Sequence, residues 1–414
     1  MYKPYIFKVN NNDNNDNNDI VLDLKNSIII STTINQPLFS LGYHYYLDRT
    51  RNDFINYTKV IQSEYKFYYV INPFETNITN YDDNLNNLSN IYFNQDKKTK
   101  LNRSFFKLWE MLFMFDLASD KDIKYTSYDT DNGFIQALMF YRDKFGFTSK
   151  NDKLYNISDN IDNIDIGKKN KHFKTINDIN VKNINAFKKD LEKSKTYSNL
   201  ITCNLNLSNN ESEQDSYKLI LSEIVCAINS QEKNGSLILR IFDTFTIVTL
   251  KMIYILSILY EDVYIYKPYF SRPTSSEKYI VCKKFKNDKK LKKYTDVLED
   301  ILTKIDKYVF DILPSISLPI SFISQFKFTN IKLVNHQQIM INNIITYIKE
   351  NNYYGDKFHQ CREAQVNASQ WWCRMFYPPS NNLYIANKAE LSRMHSSTQT
   401  VYSKEQGDFL QTIV

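Results

Sequence analysis

From Ile123 to Lys283, short strand-like apolar runs alternate with longer stretches at helical spacing, and this alternation constrains the fold more than any other feature. Ile123–Tyr128 reads as a strand. Phe134–Phe145 reads as a helix with Phe134, Ala137, Leu138 and Tyr141 on one face. Leu200–Cys203 is a short strand, Leu219–Ile228 a helix, Ser236–Phe242 a buried strand and Val248–Leu259 a helix. Val263–Tyr266 and Tyr279–Lys283 close the series as strands. Strands separated by helices pair in parallel, so the expected class is α/β with a mainly parallel sheet flanked by helices. Phe105–Leu117 adds a helix ahead of the series, and residues 149–195 are polar with little periodicity.

The flanks read differently. Asn10–Asp19 and Asn80–Asn90 are Asn/Asp-rich, the first a loop and the second a linker. Residues 20–95 mix short apolar runs with polar turns, which suggests a variable α/β or strand-rich N-terminal region. Beyond Lys286 the chain turns helical. Val297, Leu298, Ile301, Leu302, Ile305, Val309 and Phe310 mark one amphipathic helix ending near Pro314. His336–Lys349 and Asp356–Phe376 follow, the latter stopping before Pro378. The expected organisation is an N-terminal region over 1–97, a central domain over 98–290 and a helical C-terminal extension over 291–414.

Composition excludes several nucleotide-binding designs. The chain has 7 glycines in 414 residues, where average usage gives roughly 29. No two are close enough to form a phosphate-cradling loop, so a Walker A loop, a G-x-G-x-x-G fingerprint and a G-x-S-x-G elbow are all absent. The 5 cysteines form no C-x-x-C pair and the 5 histidines are scattered, so no metal site is expected and a reducing compartment is. No signal peptide is expected, and the most apolar stretch, Ile247–Tyr260, is too short for a bilayer span and contains Lys251. A net charge of +6 permits a nucleic-acid partner without demonstrating one. The lysine run Lys283–Lys293 reads either as a solvated face or as a surface that steers RNA.

Three segments carry a resemblance. The first is Asn102-Arg103-Ser104-Phe105-Phe106-Lys107-Leu108-Trp109-Glu110. The second is Gly235-Ser236-Leu237-Ile238-Leu239-Arg240-Ile241-Phe242-Asp243. The third runs Lys267-Pro268, Ser271-Arg272-Pro273 and Ser276-Glu277-Lys278-Tyr279. Together they resemble the FtsJ/RrmJ-like S-adenosylmethionine-dependent 2′-O-ribose methyltransferases, in particular the mRNA cap-methylating branch of eukaryotes and large DNA viruses. The resemblance implies a Rossmann-like methyltransferase domain, S-adenosyl-L-methionine as cofactor and RNA as partner.

It also implies a Lys-Asp-Lys-Glu tetrad in which the second Lys acts as general base on the ribose hydroxyl. The tetrad positions fall on Lys107, Asn204, Arg240 and Glu277. Two depart from the pattern: Asn204 brings no negative charge, and Arg240 does not deprotonate, because a guanidinium pKa exceeds about 12. The family's cofactor loop, an acidic residue followed by G-P-G-G-F, falls on Asp129, Thr130, Asp131, Asn132, Gly133 and Phe134, with only Gly133 and Phe134 matching the glycine motif. Side chains at Thr130 and Asn132 stand where backbone is expected to approach the ligand, and Asp131 places a carboxylate near the cofactor's own.

Three readings stay open. The first is a catalytically inactive homologue that binds RNA or another viral protein. The second is an active methyltransferase with a rearranged site. The third is a structural virion protein. All three imply a host-cytoplasmic viral factory or a virion, without membrane or metal. Within the first, Arg240 either bridges Glu277 or contacts RNA phosphate. Trp371 and Trp372 read as core packing rather than a cap-stacking platform, and Ser271-Arg272-Pro273 as a turn.

Overall fold

The computed structural model describes residues 2–9, 26–33, 35–38, 41–60, 71–75, 101–129, 132–157, 173–176, 197–204, 212–286, 291–305, 308–350 and 354–413. Both Asn/Asp-rich tracts, Thr130, Asp131, Leu205 and Asn206 lie outside these, as does part of the lysine run.

The elements in chain order begin with β1 (Tyr5–Val9), β2 (Ile28–Ile30), α1 (Leu41–Val60), α2 (Arg103–Phe115), β3 (Lys124–Asp129) and α3 (Gly133–Lys144). Next come β4 (Lys153–Ile157), β5 (Phe173–Ile176), β6 (Ser198–Asn204), α4 (Tyr217–Ser230), β7 (Gln231–Ile241) and α5 (Ile247–Leu259). The chain continues with β8 (Tyr260–Lys267), β9 (Lys278–Phe285), α6 (Leu291–Lys304), β10 (Val309–Ile312), α7 (Ile320–Lys349), α8 (Asp356–Phe376) and α9 (Asn381–Ile413).

An 8-stranded sheet runs in the order β1-β8-β9-β7-β6-β3-β4-β5. Strands β7, β6, β3, β4 and β5 are parallel, while β9 is antiparallel to both β7 and β8. This is the Rossmann-like methyltransferase architecture with a helical C-terminal region. The chain leaves β3 outward through β4 to β5, then returns through β6 to β7 on the other side. The order therefore reverses between β3 and β6, and in open α/β sheets ligands bind at the carboxyl ends of such a pair.

Period-2 alternation puts successive strand residues on opposite faces. Leu237, Leu239 and Ile241 enter a core with α4, α5, α6 and α7, whereas Ile238 joins a second core with α2, α3 and α8. Glu110, fully buried, anchors the second core. Its carboxylate accepts from Tyr269 N (2.8 Å), Phe270 N (3.2 Å), Tyr266 Oη (3.1 Å) and Trp372 Nε1 (2.9 Å). Burial pushes its pKa up to about 7 despite these four donors. Trp372 is thus a core residue, as its place in the helical pattern suggests.

The structure differs from the sequence expectations at four places. The polar stretch 149–195 contains two strands, β4 and β5, whose pairing to β3 supplies the order that periodicity lacks. The helix expected through Phe310 stops at Lys304. Val309 and Ile312 are buried and Phe310 exposed, a period-2 pattern, and β10 pairs with β2. The helix expected from His336 starts at Ile320, after Pro319. Finally, the segment ahead of the Asn/Asp tract forms a strand, β1, for which no expectation stood, and it pairs antiparallel with β8, Tyr5 opposite Lys267. Among the described residues no helix is long and apolar enough to cross a membrane.

Candidate active site

The four positions Lys107, Asn204, Arg240 and Glu277 meet at the carboxyl edge of the sheet. Each is delivered by a different element. Helix α2 starts at the N-cap Asn102, whose side chain accepts from Phe105 N at 2.9 Å, and presents Lys107 one turn later. Asn204 ends β6, and Arg240 sits at the end of β7. Glu277 immediately precedes β9 and is held by Lys267, whose Nζ donates to Ser275 O (2.7 Å) and Glu277 O (2.8 Å).

Lys107 Nζ donates to Glu277 Oε1 at 2.8 Å, and the two groups are 10% and 9% exposed. Ser271 Oγ donates to Glu277 Oε2 at 2.5 Å, and Tyr279 Oη reaches Glu277 Oε1 at 3.3 Å. Arg240 Nε lies 3.9 Å from Glu277 Oε1. Burial alone pushes a carboxyl up, but Lys107 and then Arg240 hold the Glu277 carboxyl well below its usual range. Burial pushes the Lys107 ammonium down, while Glu277 opposes that shift.

Asn204 forms the other half of the network. Its Oδ1 accepts from Arg240 Nη1 (3.0 Å) and from Tyr279 Oη (3.3 Å). Its Nδ2 donates to Asp129 Oδ1 at 2.9 Å. The second Asp129 oxygen accepts from Phe134 N at 3.1 Å, so the carboxylate serves the first turn of α3, where the helix favours negative charge. The N-cap itself, Asn132, stands in left-handed conformation (φ 58°) and caps nothing. Its Oδ1 instead accepts from Asn156 Nδ2 at 2.7 Å. Gly133 is needed for space: a Cβ there would lie 2.2 Å from Asn102 Oδ1.

Of the sequence-derived cofactor positions, Asp129 ends β3, Asn132 precedes α3, and Gly133 and Phe134 open α3, beside the end of β6; Thr130 and Asp131 are outside the described residues. Three contributors escaped sequence reasoning: Asn102, Ser271 and Tyr279. All three lie inside the quoted motif segments, and the N-cap preference for Asn could have drawn attention to Asn102. Lys251, on α5, bonds Asp311 Oδ2 (2.8 Å) and Leu313 O (3.1 Å), tying β10 to α5. Among the described residues no group of His, Cys, Asp or Glu is arranged to hold a metal ion.

Residues 101–285 match the FtsJ-like methyltransferase family. The Caenorhabditis elegans cap-specific mRNA (nucleoside-2′-O-)-methyltransferase 1 is 22% identical over 159 residues, which are 37% of this chain and 17% of that protein. The Drosophila melanogaster cap-specific mRNA (nucleoside-2′-O-)-methyltransferase 2 is 23% identical over 212 residues, 47% of this chain and 29% of the relative. The Dictyostelium discoideum methyltransferase 1 is 38% identical over 68 residues, 16% of this chain and 9% of its own. The chain thus spans less than a third of the length of each of these relatives. Residues 101–285, less than half of the chain, are thus similar to the FtsJ-like methyltransferases.

Proposed function

We propose that the chain is a homologue of the mRNA cap 2′-O-ribose methyltransferases that has lost methyl transfer and serves as an RNA-binding subunit in a large DNA virus. One observation carries the loss of catalysis. The side chain in the general-base position is Arg240, with Nη1 on Asn204 at 3.0 Å and Nε beside Glu277. A guanidinium stays protonated at any pH the protein meets, so it accepts no proton from a ribose hydroxyl.

The crevice residues also do not fit the methionine end of S-adenosylmethionine. Asp129 uses one oxygen on the α3 amide of Phe134 and the other on Asn204. The helix N-terminus that suits a cofactor carboxylate already holds a carboxylate of the chain itself. The Asn102 side chain fills the space beside Gly133. No methyl-transfer step is therefore derived through the cofactor. RNA as the ligand is supported by the relatives, whose names state a cap-specific mRNA substrate, and by the chain's net charge of +6.

The test is incubation of the purified protein with capped RNA and labelled S-adenosylmethionine, alongside calorimetry with the cofactor and an RNA-binding assay. The expected result is no methyl transfer and no cofactor binding at millimolar ligand, with RNA retained. Turnover at the 2′-hydroxyl would instead establish a rearranged active site. Loss of RNA affinity together with abundance in purified particles would establish a virion assembly role.

A further inference from the structure

Glu75 lies outside residues 101–285, yet its fully buried side chain ends on two arginines of that stretch. Its Oε1 accepts from Arg103 Nη1 at 2.6 Å, and its Oε2 accepts from Arg272 Nε at 3.1 Å. Arg103 opens α2 one turn before Lys107, so the two cations share a face of the helix. It also donates through Nη2 to Phe270 O. Arg272 follows Ser271, whose Oγ donates to Glu277 Oε2. Both guanidiniums therefore sit on the elements that build the Lys107–Glu277 pair.

The segment that carries Glu75 is held by contacts of its own. Phe74 is buried, its ring centroid 4.9 Å from that of Tyr2, 5.8 Å from Phe270 and 6.2 Å from Trp371. Asn72 Oδ1 accepts from Phe74 N at 3.3 Å, and Asn72 O accepts from Gln365 Nε2 of α8 at 3.0 Å. Glu75 is thus an anion fixed in place beside the arginines. Glu277 is the competing anion. Burial pushes the Arg103 guanidinium down; Glu75 opposes that shift, Arg272 adds to it, and Glu277 opposes it less than Glu75 does. Glu277 already accepts from Lys107, Ser271 and Tyr279, with Arg240 at 3.9 Å, while Lys267 is committed to the Ser275 and Glu277 carbonyls. A guanidinium that turned to Glu277 would displace the Lys107 ammonium, because a carboxylate has few acceptor sites and Arg takes two of them at once. Arg103 is the cation placed to do so: its side chain is 11% exposed, whereas Arg272, at 29%, can turn toward water.

We propose that Glu75 is a positioning residue of the site: by binding Arg103 and Arg272 it leaves the Glu277 carboxylate to Lys107. It acts through the two arginines rather than on Lys107 or Glu277 itself. The charge arrangement of the site is therefore completed by a residue from outside the stretch that matches the family, and this holds whether or not the chain binds RNA.

The test is the rate at which acetic anhydride labels individual lysines of the full chain, read by mass spectrometry. In Glu75→Gln, Arg103 turns to Glu277, and labelling of Lys107 is expected to rise by about tenfold, the loss of one charge-assisted hydrogen bond. Lys251, also buried and paired with Asp311 away from the site, is expected to keep its wild-type rate. Removing the competitor separates positioning from mere support of the fold: in Glu75→Gln combined with Arg103→Gln, Lys107 is expected to return to within about threefold of wild type. An unchanged Lys107 rate in Glu75→Gln overturns the proposal, as does a rise shared by Lys251 or one that Arg103→Gln does not reverse. If Glu75→Gln does not fold, Glu75→Asp takes its place. It keeps the charge but shortens its reach, so a smaller rise at Lys107 alone is expected, and equal Lys107 rates overturn the proposal.

Discussion

Asn204 donates its amide Nδ2 to Asp129 Oδ1 at 2.9 Å, tying together the last residues of two neighbouring parallel strands, β6 and β3. The same amide accepts from Arg240 through Oδ1. A neutral amide is the group that can do both, because it carries a donor and an acceptor. Asn204, Asp129 and Arg240 are therefore one linked arrangement at the point where the strand order reverses.

Replacing that amide by a carboxylate breaks the arrangement in a pH-dependent way. In Asn204→Asp, two carboxyls lie at hydrogen-bond distance, and one keeps its proton above the usual carboxylate range. The folded state then holds a proton that the unfolded chain has released. Stability relative to wild type falls as pH rises from about 5 to 8, by about 1–3 kcal/mol. Denaturant unfolding across this range measures the difference, and a flat difference contradicts the linkage.

Lys107 and Glu277 form a buried pair, and removing one partner leaves a charge without its nearest counter-charge. Lys107→Met is expected to destabilise by about 3 kcal/mol, with Arg240 at 3.9 Å offsetting part of the loss. The double variant with Glu277→Gln recovers part of it. Urea unfolding of the four proteins gives a coupling of about 1–3 kcal/mol; strict additivity means the two groups do not interact.

Gly133 and Asn102 compete for one volume. Gly133→Ala sets a Cβ 2.2 Å from Asn102 Oδ1, which caps α2. The cap is displaced, at a cost of about 1–2 kcal/mol. In an Asn102→Gly background the same substitution costs much less, since glycine is itself a tolerated cap. Thermal unfolding of both pairs checks this, and an equal cost in the two backgrounds rules out the contact.

Glu110 titrates near neutrality. Its folded pKa of about 7 lies above the ordinary 4.5, so the folded state binds more protons than the unfolded state between these values. Its contribution to stability is greatest at low pH and falls as pH rises through that window, by about 1.4 kcal/mol for each step of one in pH. Glu110→Gln removes this slope while leaving two donors facing an amide NH₂ group, so it is less stable at pH 5. Wild-type and variant stabilities measured from pH 4.5 to 7.5 should converge with rising pH; parallel curves refute the assignment.

Much of the central fold is legible along the chain. The helices at Phe105, Phe134, Leu219 and Val248 and the strands at Ile123, Leu200, Ser236, Val263 and Tyr279 each declare themselves through a local apolar period, and each forms within a few residues of its expected bounds. β4 and β5 do not. They lie on the outer side of the sheet, in a polar stretch, and their order comes from hydrogen bonds to β3 and to each other. The motif segments name Lys107, Arg240 and Glu277. They do not show that Ser271 and Tyr279 share the Glu277 carboxylate.

What the sequence by itself determined is the kind of domain and the chemical identity of the groups at its site. Both are read residue by residue along the chain: a 2.0 or 3.6 period, and an amide at 204 and a guanidinium at 240. What only the tertiary structure decided is which group compensates which. Lys107 meets Glu277 across a separation of 170 positions, Asn204 meets Asp129 across 75, and β1 joins the sheet beside β8. Charge pairing depends on distance in space and on burial, and neither is written in the order of the residues.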